Sequence, residues 1–300
     1  MAATKYGKYV KSLQFQDPGQ GCFRQRAVMD GRFLGLDVHI QYGACWTAGK
    51  LGKEPYRPCV HDFDQVMLFL GTDMNDLSEL GAEVELCLGE EMDTHMITTS
   101  TAVALPKDMP HMPATITRMD KRIIYMVISL APVFTEKLIA TDRKPSAPVG
   151  FRSRYGKHVM PLTFRRKAAW YYGPKNRDDG GGSVSLVRGN DAGINFTLIY
   201  ENMKKAPYRL CPDPDKPHAH ANTQVMLFLG SDPGDLGNLG GEFEICMGKE
   251  EERHVFNKPT AVVTPPFLPH WPGGAVNLDR PILMMDIHPS GDSVVGQVKK

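Results

Sequence analysis

The sequence predicts an all-β protein built from two tandem copies of one domain, each a small antiparallel sandwich or barrel. Two observations carry this reading. Gln65-Val-Met-Leu-Phe-Leu-Gly71 returns as Gln224-Val-Met-Leu-Phe-Leu-Gly230, and the halves then keep a constant offset of 159 residues to the last strand. Gly81-Ala-Glu-Val-Glu-Leu-Cys-Leu-Gly89 matches Gly240-Gly-Glu-Phe-Glu-Ile-Cys-Met-Gly248, and Pro110-His111 matches Pro269-His270. Self-similarity at a fixed offset marks a duplicated module. The segments between turn residues are also short and β-like, which points to a sandwich or barrel rather than to helices packed on a parallel sheet.

Each element follows from its own pattern. Tyr6-Gly-Lys-Tyr-Val10 opens the first copy and returns as Tyr155-Gly-Lys-His-Val159. Leu34 to Tyr42 alternates apolar and polar residues after Gly35, as does Ile194-Asn-Phe-Thr-Leu198. Glu83 and Glu85, like Glu242 and Glu244, alternate with apolar residues, the pattern of a strand with one solvated face. Arg122-Ile-Ile-Tyr-Met-Val-Ile128 and Pro281-Ile-Leu-Met-Met-Asp-Ile287 are more uniformly apolar. Phe69, Phe228, Met67 and Met226 are core positions. Thr135 to Thr141 is the one stretch that suggests a short helical turn. Insertions around Asp178-Asp-Gly-Gly-Gly-Ser183, between Gly43 and Lys53, and around Pro212-Asp-Pro-Asp-Lys-Pro217 fall where surface loops are expected. The resulting division is 1–135, a linker at 136–150, and 151–300.

Bulk properties narrow the function classes. The chain has 300 residues, is 42% hydrophobic and 23% charged, and carries a formal net charge of +1. A near-neutral balance gives no electrostatic reason to expect nucleic acid or an anionic membrane as a partner. No apolar run approaches the roughly 20 residues of a membrane span. Met1-Ala-Ala-Thr-Lys-Tyr-Gly-Lys8 lacks the apolar core of a secretory signal. The six cysteines form no disulfide framework, which fits a reducing, cytoplasmic setting.

The second copy holds the sharpest motif: His218-Ala-His220, then Gln224 and Gly230, and later Pro269-His270. On a strand, residues two apart share a face, so His218 and His220 point together, Gln224 can return to that face, and His270 comes from a later strand. Three imidazoles and an oxygen ligand suit a divalent transition metal with open positions. In the first copy, Cys59, His61, Gln65 and His111 occupy the matching places, and Cys59 replaces His218. A rival alignment pairs Arg57-Pro-Cys59 with Arg209-Leu-Cys211 and makes Cys59 an ordinary strand cysteine.

These residues resemble the two motifs of the cupin superfamily: His-x-His, an acidic residue, a glycine, then Pro and His on a later strand. Two tandem copies resemble a bicupin over nearly the whole chain. The resemblance implies two jelly-roll β-barrels. It leaves the activity open, since cupins include dioxygenases, decarboxylases, isomerases, lyases, hydrolases, binding domains and storage proteins. The expected cofactor is Fe, Mn, Zn or Ni. The expected substrate is a small polar molecule bearing carboxylate or hydroxyl groups, with a dioxygenase ranked just ahead of a non-redox lyase, isomerase or hydrolase. A non-catalytic binding module is the rival. Homodimers are a reasonable expectation for the fold.

Two departures from the motif matter. The usual carboxylate is Gln65 in one copy and Gln224 in the other, so three neutral imidazoles and an amide leave the metal's charge uncompensated and favour an anionic substrate. The Cys59/His218 exchange assigns the chemistry to the second copy. His95 and His254 read as hydrogen-bonded structural histidines. Asp62 and Asp64 point away from the face of His61. Arg24, Arg26 and Arg32, or Arg165-Arg-Lys167, are candidate cations at a barrel mouth.

Overall fold

The computed structural model describes residues 4–18, 21–52, 54–150, 153–166, 182–209, 217–291 and 295–297. Most of the loops at 178–183 and 212–217, together with Lys167 and Cys211, lie outside the described residues. The chain forms two compact units. One comprises Gln14–Leu162 and Gly189–Ile194. The other comprises Met1–Leu13, Thr163–Arg188 and Asn195–Lys300.

Each unit is a two-sheet jelly-roll barrel. In the first, a six-stranded sheet runs Val159–Pro161, Thr101–Leu105, Gln65–Leu70, Ile123–Ser129, His39–Cys45, Phe23–Met29. The opposing sheet centres on His111–Met119 and Glu79–Leu88. The second unit repeats the plan, with Gln224–Gly230 between Thr260–Thr264 and Ile282–His288 in one sheet, and His270–Leu278 beside Gly241–Met247 in the other. Antiparallel pairing throughout the central strands explains the sequence patterns. The strands buried on both faces, Gln65–Leu70 and Ile282–His288, read as nearly continuous apolar runs. The Glu79–Leu88 strand, wet on one side, alternates. Glu83 pairs with Arg118 at 2.9 Å and Glu244 with Arg253 at 2.6 Å, on that solvated face.

The opening segments of the two repeats trade places. Val10–Ser12 pairs with Thr260–Thr264, and Val159–Pro161 pairs with Thr101–Leu105. The repeat boundary in sequence and the boundary of the compact units therefore differ: residues 4–13 pack in the unit made mostly from the second half. Tyr6 donates its hydroxyl to Glu250 at 2.7 Å, and Tyr155 donates to Glu91 at 2.6 Å. Their rings cover Gly248 and Gly89, both at φ 76°. A Cβ on Gly248 or Gly89 would lie about 2 Å from the tyrosine ring, so glycine is required both by conformation and by space.

Thr135 to Thr141 contains no helical turn. Lys137–Leu138 instead pairs with Cys59–Val60 as a short edge strand. Among the described residues the α-helical turn lies at Gly31–Leu34, where Asp30 caps it by accepting a 2.7 Å hydrogen bond from the Phe33 amide. Among the described residues no helix is long and apolar enough to cross a membrane.

Each barrel has its own apolar core, and Phe69, Phe228, Met67 and Met226 are all buried within them. Phe228 packs on Phe243 with ring centroids 4.2 Å apart.

Candidate metal centres

Strand register brings the predicted ligands together in both barrels. Cys59 lies opposite His111, and His218 lies opposite His270, at the same place in the two ladders. The structural equivalence is thus Cys59 with His218, as the first alignment has it. His61 and His220 follow two residues later, and Gln65 and Gln224 begin the next strand. Cys59, His61 and His111 gather their ligand atoms within 4.8 Å of one another, and so do His218, His220 and His270.

The geometry suits a metal in each cluster. In the first barrel Cys59 Sγ lies 3.7 Å from His111 Nε2 and 4.0 Å from His61 Nε2. A tetrahedral site with bonds of about 2.0–2.3 Å has ligand–ligand edges of roughly 3.5 Å, so little movement is needed. His111 Nδ1 donates to the Met109 carbonyl at 2.9 Å, and His61 Nδ1 donates to the Thr135 carbonyl. Those backbone bonds place the proton on Nδ1 and turn the Nε2 lone pair inward. His270 is held the same way, Nδ1 to the Leu268 carbonyl at 3.0 Å. Its Nε2 is buried with no hydrogen-bond partner, a cost that a bound cation would remove.

Burial keeps the imidazoles neutral. Desolvation lowers His111 to about 4. Desolvation, reinforced by His218, lowers His270 to about 3. His61 and His218 are lowered by the same burial. The Cys59 thiol is pushed up to about 12 by burial and by the Glu136 charge, so without a metal it stays protonated.

The two barrels differ behind these ligands. Gln65 donates to Ser129 Oγ at 3.2 Å, and its Oε1 is buried without a partner. Gln224 instead accepts from Thr264 Oγ1 at 2.9 Å, and its side chain is a close neighbour of Asp286. Asp286 Oδ1 lies 3.1 Å from Nε2 of the fully buried His288, whose ring centroid is 5.2 Å from that of His220. At the same offset the first barrel has Leu105, Val127 and Ser129. Gly43, opposite Tyr125, corresponds to the buried Glu201 opposite Met284. Asp286, His288, Glu201 and Thr264 escape a motif-based reading because they lie outside both cupin motifs. Their signal was present as polar residues interrupting otherwise apolar strands in one copy only.

A cavity of about 890 Å³ opens onto Cys59, His61, Gln65 and His111 in the first barrel, with Arg26, Lys50, Glu54 and Glu136 in its wall. Arg26 is the predicted mouth cation that the structure brings to a site. Lys50 lies over the Tyr56 ring, 4.9 Å from its centroid. His95 and His254 stay structural: His95 Nε2 is 3.4 Å from Ser153 Oγ, and His254 Nε2 is 2.9 Å from Glu252. Asp64 accepts from the Lys107 amide at 2.8 Å, away from His61.

No family model matches the sequence, and no curated protein matches it. Solved structures do match. A single-site variant of Bacillus subtilis oxalate decarboxylase superposes with a TM-score of 0.62 at 8% identity, over 97% of this chain and 79% of that one. A structure of the same enzyme described for its Mn(II) centres gives 0.61 at 7% identity, with the same coverage. At such identity the likeness concerns the fold. What it shows is two tandem jelly-roll barrels, the fold of a bicupin, with a cluster of possible metal ligands in each.

Proposed function

We propose that this bicupin is a metal-dependent enzyme acting on a small carboxylate-bearing molecule, with the catalytic metal held by His218, His220 and His270. The observation that carries the reading is the buried, unpartnered Nε2 of His270, facing two more imidazoles with ligand atoms within 4.8 Å. The structural neighbours are oxalate decarboxylases, one described for Mn(II). That supports manganese, among the metals such a site accepts, and a short-chain acid as the first candidates.

A bound divalent metal would supply Lewis acidity toward a chelating carboxylate, or oxygen activation if it is iron. The chain's own residues do the rest. The Leu268 carbonyl fixes the His270 tautomer. Thr264 and Gln224 hold the polar floor of the site. In the first barrel the 890 Å³ cavity, whose wall carries Arg26 and Lys50 as well as Glu54 and Glu136, favours a second binding place for a small polar molecule, beside a Cys59, His61, His111 centre.

The test is elemental analysis of untagged protein after anaerobic reconstitution with Mn(II) or Fe(II), followed by assays on small dicarboxylic and hydroxy acids. Release of CO2 without net oxygen uptake would identify a decarboxylase-type lyase, and stoichiometric oxygen uptake a dioxygenase. Protein that binds no metal would overturn the proposal.

A further inference from the structure

We propose that Asp286 supplies the negative charge of the second metal centre, in place of the carboxylate that Gln224 lacks, and that Gln224 and His288 position it. The proposal rests on the metal reading above.

Comparison of the copies carries the argument. In the first barrel one ligand position is Cys59, which binds a metal as an anionic thiolate. In the second barrel that position is His218, which brings no charge. The exchange removes one negative charge from the ligand set. The Val127/Asp286 exchange returns one beside the ligands, and the Gly43/Glu201 exchange adds a second buried acid on the neighbouring strand. Val127 lines the first barrel's cavity beside Met67 and Gln65, so its position faces the interior. Asp286 lies at the same place on the matching strand and is 8% exposed.

The surroundings of Asp286 are built for a carboxylate. His288 Nε2 lies 3.1 Å from Oδ1, an ion-pair distance without hydrogen-bond alignment, and the Gln224 side chain is a close neighbour of the carboxyl group. Thr264 Oγ1 occupies Gln224 Oε1 from the opposite side, at 2.9 Å. The amide in the place of the usual metal-binding carboxylate therefore has its oxygen occupied by Thr264 and its side chain beside Asp286, where it works as a bracket. In the first barrel, where Leu105 replaces Thr264 and Val127 replaces Asp286, Gln65 Oε1 has no such partner. Asp286 is not among the groups converging within 4.8 Å. It therefore acts one layer behind the imidazoles, through space and through His288 and Gln224. A buried carboxylate behind neutral imidazole ligands raises their affinity for a dication, as outer-layer carboxylates do at other metal sites.

The experiment measures Mn(II) and Zn(II) affinity by competition with a fluorescent chelator, in a Cys59→Ala background that leaves the second site alone. Asp286→Asn keeps the shape of the side chain, and affinity is expected to fall by about 10–100-fold. Adding Gln224→Glu to Asp286→Asn is expected to restore it to within a few-fold. Gln224→Glu by itself places a second carboxylate where a neutral amide now lies beside Asp286, and is expected to lower affinity or leave it unchanged. This last variant decides the matter even if Asp286→Asn does not fold. An Asp286→Asn protein that binds within twofold of its parent, or a gain of tenfold or more from Gln224→Glu alone, would overturn the proposal. In either case loss of binding in His270→Ala would leave the metal reading standing. Absence of metal binding in the parent would remove both.

Discussion

The two barrels share register, core and turn glycines, yet their interiors are charged differently. The first ends its cavity on a thiol and two imidazoles, with Val127, Arg26, Glu54 and Glu136 in the wall. The second faces three imidazoles, with Asp286, His288 and Thr264 behind them. A duplicated scaffold can keep a metal site while moving its negative charge from one strand to another. A motif reading sees the ligand positions and misses that movement, because the compensating residue lies about 70 positions from the one it offsets.

The largest expected effect breaks one barrel and spares the other. His270→Ala should weaken metal binding in the second barrel by more than about 100-fold, since losing a ligand costs more than losing a supporting group. His111→Ala should do the same in the first barrel alone. Site occupancy read by Mn(II) electron paramagnetic resonance checks both, and equal loss at both sites from either variant would contradict two independent centres.

A proton count sharpens the contrast. Cys59 carries its proton until a metal binds, whereas burial already keeps His218 and His270 neutral. Zinc binding to a His218→Ala protein at pH 8 should therefore release about one proton, and binding to a Cys59→Ala protein close to none. Calorimetry in buffers of different ionisation enthalpy gives the number directly.

Acid should destabilise both metal-free barrels, the second over a wider range. His270 and His111 are neutral in the fold, lowered from 6.5 to about 3 and about 4. Below 6.5 the unfolded chain takes up protons that the folded chain refuses, so stability is lost as pH falls toward those values. Melting temperature followed from pH 7 to pH 4 should drop. The drop should be shallower in His270→Gln, and shallower to a lesser degree in His111→Gln. A flat profile in the parent would show that these imidazoles are not buried neutral.

The smallest effect concerns the bracket. Thr264→Val removes one neutral hydrogen bond to Gln224 and should cost about 1 kcal/mol of stability, measured by urea unfolding. The matching position in the first barrel is Leu105, so Leu105→Val should leave the Gln65 contacts unchanged there.

Much of this was legible in the chain. The 159-residue offset fixed which histidines correspond, and period-two alternation identified the strands. The Cys59/His218 equivalence, ambiguous in sequence because of neighbouring insertions, was decided by pairing with His111 and His270. Two features were not legible. The trade of opening strands, Val10–Ser12 onto Thr260–Thr264, is a pairing across about 250 residues that leaves no local pattern. Asp286 sat inside a run that reads as apolar, Ile282–His288, where strand burial dominates the periodicity and hides a single acid. Copy-against-copy comparison at Val127 was the signal that would have exposed it. The short turn expected at Thr135 to Thr141 failed because edge pairing with Cys59–Val60 overrode local preference.

The most direct test of the account is bound metal per chain, measured by elemental analysis on wild type, His218→Ala and Cys59→Ala after anaerobic reconstitution with Mn(II). The account predicts metal in the wild-type protein, loss of the second-barrel ion in His218→Ala, and its retention in Cys59→Ala. Wild-type protein free of metal, or His218→Ala with undiminished content, would contradict it.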